Sequence, residues 1–328
     1  MNTVILISSL ILLFSFILTW LIRSLALHYK VMDIPNERSS HFIPTPRGGG
    51  LAIVIAWYSG ITVLFFSNRI ESDLYLALMS GLLLAVISLI DDIFTLKPGI
   101  RLLTQSATAI IAFLFLHGID QVDLSVFSIK SVYILYPVSI IGMVWFINLF
   151  NFLDGIDGYA STEAIMISLV MYLFTGNIVC FILISSVLGF LIWNWPKAKI
   201  FMGDIGSTQL GFILIILGIY FHNRSELSIL QWMMLSSLFW FDATLTLFRR
   251  WRNKENVTVA HRKHAYQRAV QSGLTHQQTI LLSILVNIII IGLTLLTELS
   301  KSLILPLFLV DLVFLYLITR LIDKKIPF

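Results

Sequence analysis

Residues 74–94, LYLALMSGLLLAVISLIDDIF, run for 17 positions without a charge and then set Asp91 and Asp92 side by side. An apolar run of this length is too long for a strand and close to the roughly 20 residues that cross a bilayer as a helix. Similar runs recur at about 3–25, 49–67, 102–117, 132–150, 160–176, 178–195, 207–222, 229–248, 279–297 and 303–320. Composition agrees: 58% of the 328 residues are hydrophobic and 12% charged, against roughly 25% charged in an average soluble domain. An ordinary core cannot hide that much apolar surface, whereas spans facing lipid and each other can. The expectation is an all-α polytopic membrane protein, one domain over residues 1–328 with about 11 transmembrane helices. The first basic residue, Arg23, follows the run from Val4 to Ile22, so that run reads as a retained span and not as a cleaved leader. The lone Cys180 lies in an apolar run and excludes a disulfide framework.

Alternating the runs across a bilayer puts 18 of the 22 Lys and Arg residues on one face, leaving Arg69, Lys130, Arg224 and Lys301 on the other. The rich face is cytoplasmic by the positive-inside rule, which places the N-terminus outside and the C-terminus inside. The formal charge of +4 is therefore a matter of topology, and nucleic acid is not an expected partner. Five aspartates fall on the same inner face: Asp91 and Asp92, Asp154 and Asp157 in NLFNFLDGIDG, and Asp204 in FMGDIGS. Clustered carboxylates repel one another unless a cation neutralises them, so the pattern reads as a divalent-metal site at a membrane surface, with a phosphate-bearing substrate.

Each interruption has a bland reading beside the functional one. Asp91 and Asp92 taken alone are a solvated helix end partnered by Lys97 and Arg101. Asn148, Asn151 and Asp154 recur at i, i+3, i+6, which predicts one helix face before Gly155 and Gly158 bend the chain around Asp157. In FMGDIGS, Gly203 and Gly206 free the backbone around Asp204, and Ser207 is expected to open a helix whose amides attract phosphate; the likeness to intramembrane aspartyl proteases fails at Phe201. The glycines Gly48 to Gly50 suit either close helix packing or, with Arg47, an anionic headgroup. In HRKHAYQR, His261 and His264 are interleaved with Arg262, Lys263 and Arg268, a cluster fit for phosphate oxygens or for a basic helix at the lipid surface. Asp242 is expected to support this loop, and Asp311 to be a packed polar contact.

In order, the Asp91–Asp92 pair, NLFNFLDGIDG, NWPKAKIFMGDIGS and HRKHAYQR resemble the motifs of the polyprenyl-phosphate N-acetylhexosamine-1-phosphate transferases. The O-antigen-initiating branch is the nearer likeness, since HRKH stands where the MurNAc-pentapeptide translocases carry three histidines. The resemblance implies transfer of a sugar 1-phosphate from a UDP-N-acetylhexosamine to undecaprenyl phosphate, with release of UMP, at the cytoplasmic face of a bacterial inner membrane. It implies Mg2+, with Mn2+ as a substitute. It also assigns Asp204 to the metal, Asp91 with Asp92 to the lipid phosphate, Asp154 and Asp157 to the nucleotide and metal region, and Asn194 and Phe201 to the uridine. His261 and His264 join the catalytic set, and Asn151, Arg47, Arg262 and Arg268 the substrate-binding set. A homodimer is allowed, with no distinctive association face. The rival class is an ion-coupled secondary transporter, which calls for midplane carboxylates and internal symmetry.

Overall fold

Every apolar run is helical along nearly its whole length in the computed structural model, which describes residues 2–35, 43–124, 127–257, 259 and 261–328. Arg38, counted above among the inner-face cations, and the middle of the loop between residues 33 and 50 lie outside the described residues. The helices are α1 (Asn2–His28), α2 (Gly50–Phe66), α3 (Ser72–Met79), α4 (Gly81–Phe94), α5 (Pro98–Phe115), α6 (Val132–Phe152), α7 (Tyr159–Thr175), α8 (Ile178–Asn194), α9 (Asp204–Asn223), α10 (Ile229–Leu235), α11 (Ser237–Arg252), α12 (Ala265–Gln271), α13 (His276–Leu296) and α14 (Ile304–Lys325). Among the described residues the strands are two short antiparallel hairpins, Met32–Asp33 with Thr45–Pro46 and Val122–Asp123 with Ser128–Ile129. Among the described residues, seven segments, with α3 and α4 taken as one, are long and apolar enough to cross a membrane, and α2, α7 and α8 are shorter apolar helices. The chain is thus an all-α, multi-pass membrane protein.

The axis of the bundle is α9. Its apolar stretch is 94% buried, against 17% for α1 and 22% for α14, and it packs on α2, α4, α6 and α7. The outer helices turn their leucines and isoleucines to the surface, where lipid is their solvent.

Two runs expected as single spans are each broken at a serine. Ser80 separates α3 from α4 and Ser236 separates α10 from α11, and their hydroxyls bond back to the Ala77 and Trp232 carbonyls at 2.7 and 2.9 Å. Such back-bonding bends helices. A break at membrane depth is tolerated only where protein satisfies the freed backbone groups. Around Ser80 that is done by Tyr58, whose hydroxyl lies 3.1 Å from the Leu78 carbonyl, and by Gln209 on α9, whose amide donates to the Gly81 carbonyl at 2.6 Å.

The other boundary to shift is that of α9, expected from residue 207 and found from Asp204. Its first turn rests directly on the start of α2: a Cβ added at Gly50 would lie 2.4 Å from the Gly206 Cα. The obstruction is backbone, so α9 would have to move. Gly50→Ala is expected to cost about 1–3 kcal/mol through overpacking, read as a lowered unfolding midpoint in detergent, with Gly206→Ala behaving alike.

Candidate active site

Three segments meet where α4 ends and α9 begins. Asp92, on the last turn of α4, accepts the Asp204 amide on one carboxylate oxygen and the Ile205 amide on the other, both at 3.1 Å. Arg47 donates to the same carboxylate at 2.9 Å and to the Asp92 carbonyl. The first amides of a helix are orphan donors carrying a partial positive charge, and here a buried carboxylate fills them. Gly203 makes the approach possible: its φ is +77°, and a Cβ there would lie 2.8 Å from Asp92 Oδ2. Two expectations change accordingly. The leading amides of α9 hold Asp92 where phosphate was expected. The Gly49 and Gly50 amides donate to the Phe201 and Met202 carbonyls at 2.9 and 2.8 Å, so these glycines serve close packing, and Arg47 reaches Asp92.

Asp91 is equally committed. Its oxygens accept the Leu96 amide at 2.5 Å and Arg101 Nη1 at 3.0 Å, and its side chain is 5% exposed. The same Arg101 nitrogen lies 3.7 Å from Asp204 Oδ2. Arg101, which the sequence offered only as a solvated partner, therefore bridges the first aspartate pair to the third motif. Asp204 itself is 37% exposed, the most open carboxylate in these ion pairs.

Asp154 lies two residues past the end of α6, so the i, i+3, i+6 series does not share a helix face. Asn148 pairs with Gln105 of α5 through two amide hydrogen bonds, at 2.7 and 3.2 Å, and Asn151 accepts the Ser207 hydroxyl at 2.5 Å. Desolvation, and then the negative charges of Asp204, Asp92 and Asp157, push the Asp154 carboxyl well above its ordinary range. The site carries an excess of negative charge that Arg47 and Arg101 do not cancel. Among the described residues no three His, Cys, Asp or Glu side chains form a ready metal cage. That donor set still suits magnesium, which keeps several waters and takes one or two carboxylates plus substrate phosphates.

Two residues expected at the nucleotide tie loops together. Asn194, 4% exposed, accepts the Gly158 amide and donates to the Ile200 carbonyl, both at 2.9 Å. Asp157 accepts the Ala198 amide at 3.1 Å and lies 3.2 Å from His276 Nδ1 at the start of α13. His276 carried no signal in the sequence, because its partner is 119 residues away. Phe201 is half-buried, and its backbone amide donates to the Pro46 carbonyl at 2.8 Å.

The basic loop between α11 and α13 is built on its own charges. Both oxygens of Asp242 accept the Ala265 amide at 2.9 Å, which anchors α12 as expected. Glu255 takes Arg250 at 3.1 Å and Lys263 at 2.5 Å. Arg268, 2% exposed, donates to Asp323 at 2.5 Å and so faces α14, away from the aspartates. Arg262 gives its carbonyl to Gln271 at 2.8 Å. The His261 and His264 rings lie 4.8 Å apart. Burial first, then each ring's cationic surroundings, hold His261 down to about 4 and His264 to about 3. His261 Nδ1 accepts the Lys263 amide at 3.2 Å, as a neutral ring must. Tyr266 joins this loop to the aspartates: its hydroxyl donates to the Phe152 carbonyl at 3.2 Å, and a Cβ on Gly155 would lie 2.0 Å from that oxygen.

Residues 74–222 match glycosyl transferase family 4. The chain is 30% identical to a protein of Bacillus subtilis strain 168 described as a probable undecaprenyl-phosphate N-acetylglucosaminyl 1-phosphate transferase, over 83% of this chain and 79% of the relative. It is 32% identical to an undecaprenyl-phosphate alpha-N-acetylglucosaminyl 1-phosphate transferase of Thermotoga maritima, over 63% and 62%. The corresponding Salmonella typhimurium protein is 27% identical over 88% and 83%.

Structural and chemical carboxylates separate by experiment. Asp92→Ala strips two amides and a guanidinium of their acceptor and should cost about 1–3 kcal/mol in thermal unfolding, whereas Asp204→Asn should leave the midpoint nearly unchanged and abolish turnover. The histidines give a pH test. Since their folded values lie below the usual 6.5, the unfolded chain takes up protons that the folded rings refuse as pH falls, and stability declines from about 6.5 toward 3. Histidine-selective NMR should show both rings neutral down to about pH 5.

Proposed function

The chain belongs to the polyprenyl-phosphate N-acetylhexosamine-1-phosphate transferases, and we propose that it moves N-acetylhexosamine 1-phosphate from a UDP-sugar to undecaprenyl phosphate. The observation that carries this reading is the convergence of Asp91, Asp92 and Asp204 from two helix ends, bridged by Arg47 and Arg101. In the proposed reaction an oxygen of the lipid phosphate attacks the phosphorus that bears the sugar. The bond from that phosphorus to the bridging oxygen breaks, and UMP leaves with the electron pair. Bringing two anions together is the main obstacle, so positioning and charge neutralisation supply most of the catalysis.

In this reading Asp204, the open carboxylate, holds Mg2+, with Mn2+ able to replace it. When bound, the metal offsets phosphate charge as a Lewis acid. Asp91 holds Arg101 beside Asp204, where the guanidinium can meet phosphate oxygens. Asp92 sets the backbone of Asp204 in place. A phosphomonoester's second pKa is about 6, so the lipid phosphate needs no strong base; direct attack is favoured over a phospho-aspartate intermediate. His261, His264 and Arg262 line the loop that Tyr266 docks beside the Asp154 turn, and they are assigned to the sugar-nucleotide phosphates.

The asymmetry of Lys and Arg supports eleven spans with the site on the cytoplasmic face of a bacterial inner membrane. HRKH in place of three histidines favours a UDP-N-acetylglucosamine or related aminosugar over a MurNAc-pentapeptide donor. It also supports initiation of O-antigen or a related surface polysaccharide. Purified protein given radiolabelled UDP-GlcNAc and undecaprenyl phosphate should produce a labelled lipid diphosphate with magnesium and none with EDTA, and UMP should appear in equal amount. A phosphorylated enzyme trapped without lipid acceptor would overturn direct attack, and undiminished turnover by Asp204→Asn would overturn the metal assignment.

A further inference from the structure

The last turn of α14 and the residues after it touch the end of α11 and the basic loop through contacts that the family motifs do not include. Asp323 Oδ1 accepts both Arg249, at 3.1 Å, and Arg268, at 2.5 Å. The Ile326 carbonyl accepts Arg268 Nη1 at 3.1 Å. The Phe328 ring stands 5.3 Å from Arg249, 5.2 Å from Lys263 and 5.5 Å from Arg268. Arg262, Lys263, Arg268 and Gln271 face Pro327 and Phe328 across a cleft of about 470 Å³.

Three cations gathered at this spacing repel one another unless something between them is negative. Asp323 supplies one full charge to two of them, and the face of an aromatic ring supplies its quadrupole to all three. Arg268 is 2% exposed, so without these acceptors its guanidinium is a buried charge lacking half its partners, and the turn carrying it must open. The opposite side of α12 is pinned by Asp242 at its start and by Tyr266 against the Asp154 turn. The loop is therefore clamped between the catalytic aspartates and residues 323–328.

We propose that Asp323 and Phe328 are positioning residues, which hold residues 261–271 in register so that His261 meets the phosphates of the sugar nucleotide. This rests on the reading of that loop as the phosphate holder. The test compares Phe328→Ala, Phe328→Trp and Asp323→Asn in purified full-length protein by hydrogen exchange and by steady-state kinetics. Phe328→Ala and Asp323→Asn should speed exchange of the 261–271 amides and leave α9 unaffected. They should raise KM for the sugar nucleotide about fivefold while kcat stays within about twofold. Phe328→Trp, which keeps the ring face, should restore both.

Unchanged exchange in Phe328→Ala and Asp323→Asn would overturn the brace, as would failure of Phe328→Trp to restore it. Faster exchange with an unchanged KM would overturn the link to the sugar nucleotide. A wild-type protein that turns over no UDP-sugar would count against the reaction reading alone, because the exchange comparison still decides the brace.

Discussion

One buried carboxylate, that of Asp92, is the joint on which the site depends. It ends α4, takes the first amides of α9 and receives Arg47 from the loop before α2. The two amides would otherwise lack an acceptor at a helix start, and charge-assisted bonds of this kind are about twice as strong as neutral ones. Because α9 is the most buried helix of the bundle, setting its first turn sets the position of Asp204 relative to every helix around it. The close approach of Gly50 to Gly206 and the left-handed Gly203 serve the same joint, and they explain why small residues cluster in those two motifs.

Charge is divided in the site between groups that are spent and groups that remain. Asp91, Asp92 and Asp157 have their oxygens engaged by amides, guanidinium groups or a histidine. Lys263 and Arg268, which look from the sequence like phosphate ligands, are paired with Glu255 and Asp323. What remains is an open Asp204 flanked by Arg101, an Asp154 carboxyl pushed upward by its neighbours, and two neutral histidines. Polar groups already satisfied by protein rigidify a site, and the few left open define what it can bind. The tyrosine column Tyr266–Tyr159, stacked at 4.9 Å and continued onto Phe239, gives the basic loop a hard edge against the aspartate turn.

Periodicity and length were enough for the helices, because lipid leaves the backbone no alternative to internal hydrogen bonding. They were not enough for the breaks at Ser80 and Ser236; at Ser80 the deciding partners, Tyr58 and Gln209, come from other helices. The motif aspartates were legible because charge in an apolar chain is conspicuous. Their division of labour was not: Asp91 and Asp92 are adjacent in sequence, yet one faces Arg101 and the other the start of α9. Asn194 and Arg268, expected at the substrate, also tie segments of the fold together through partners that no local pattern announces. His276, Asp323 and Phe328 left no trace in any local pattern, since each acts on a residue more than 50 positions away.

The sequence by itself determined the class: an all-α membrane protein whose acidic and basic motifs match a family of polyprenyl-phosphate sugar transferases. Hydrophobic run length and the kinds of charged residue present are properties of the chain that any fold must respect. The tertiary structure alone decided which carboxylate is open and which are used as fasteners. That choice depends on which amides and guanidinium groups arrive within hydrogen-bond distance, and those arrive from helices far apart in the chain.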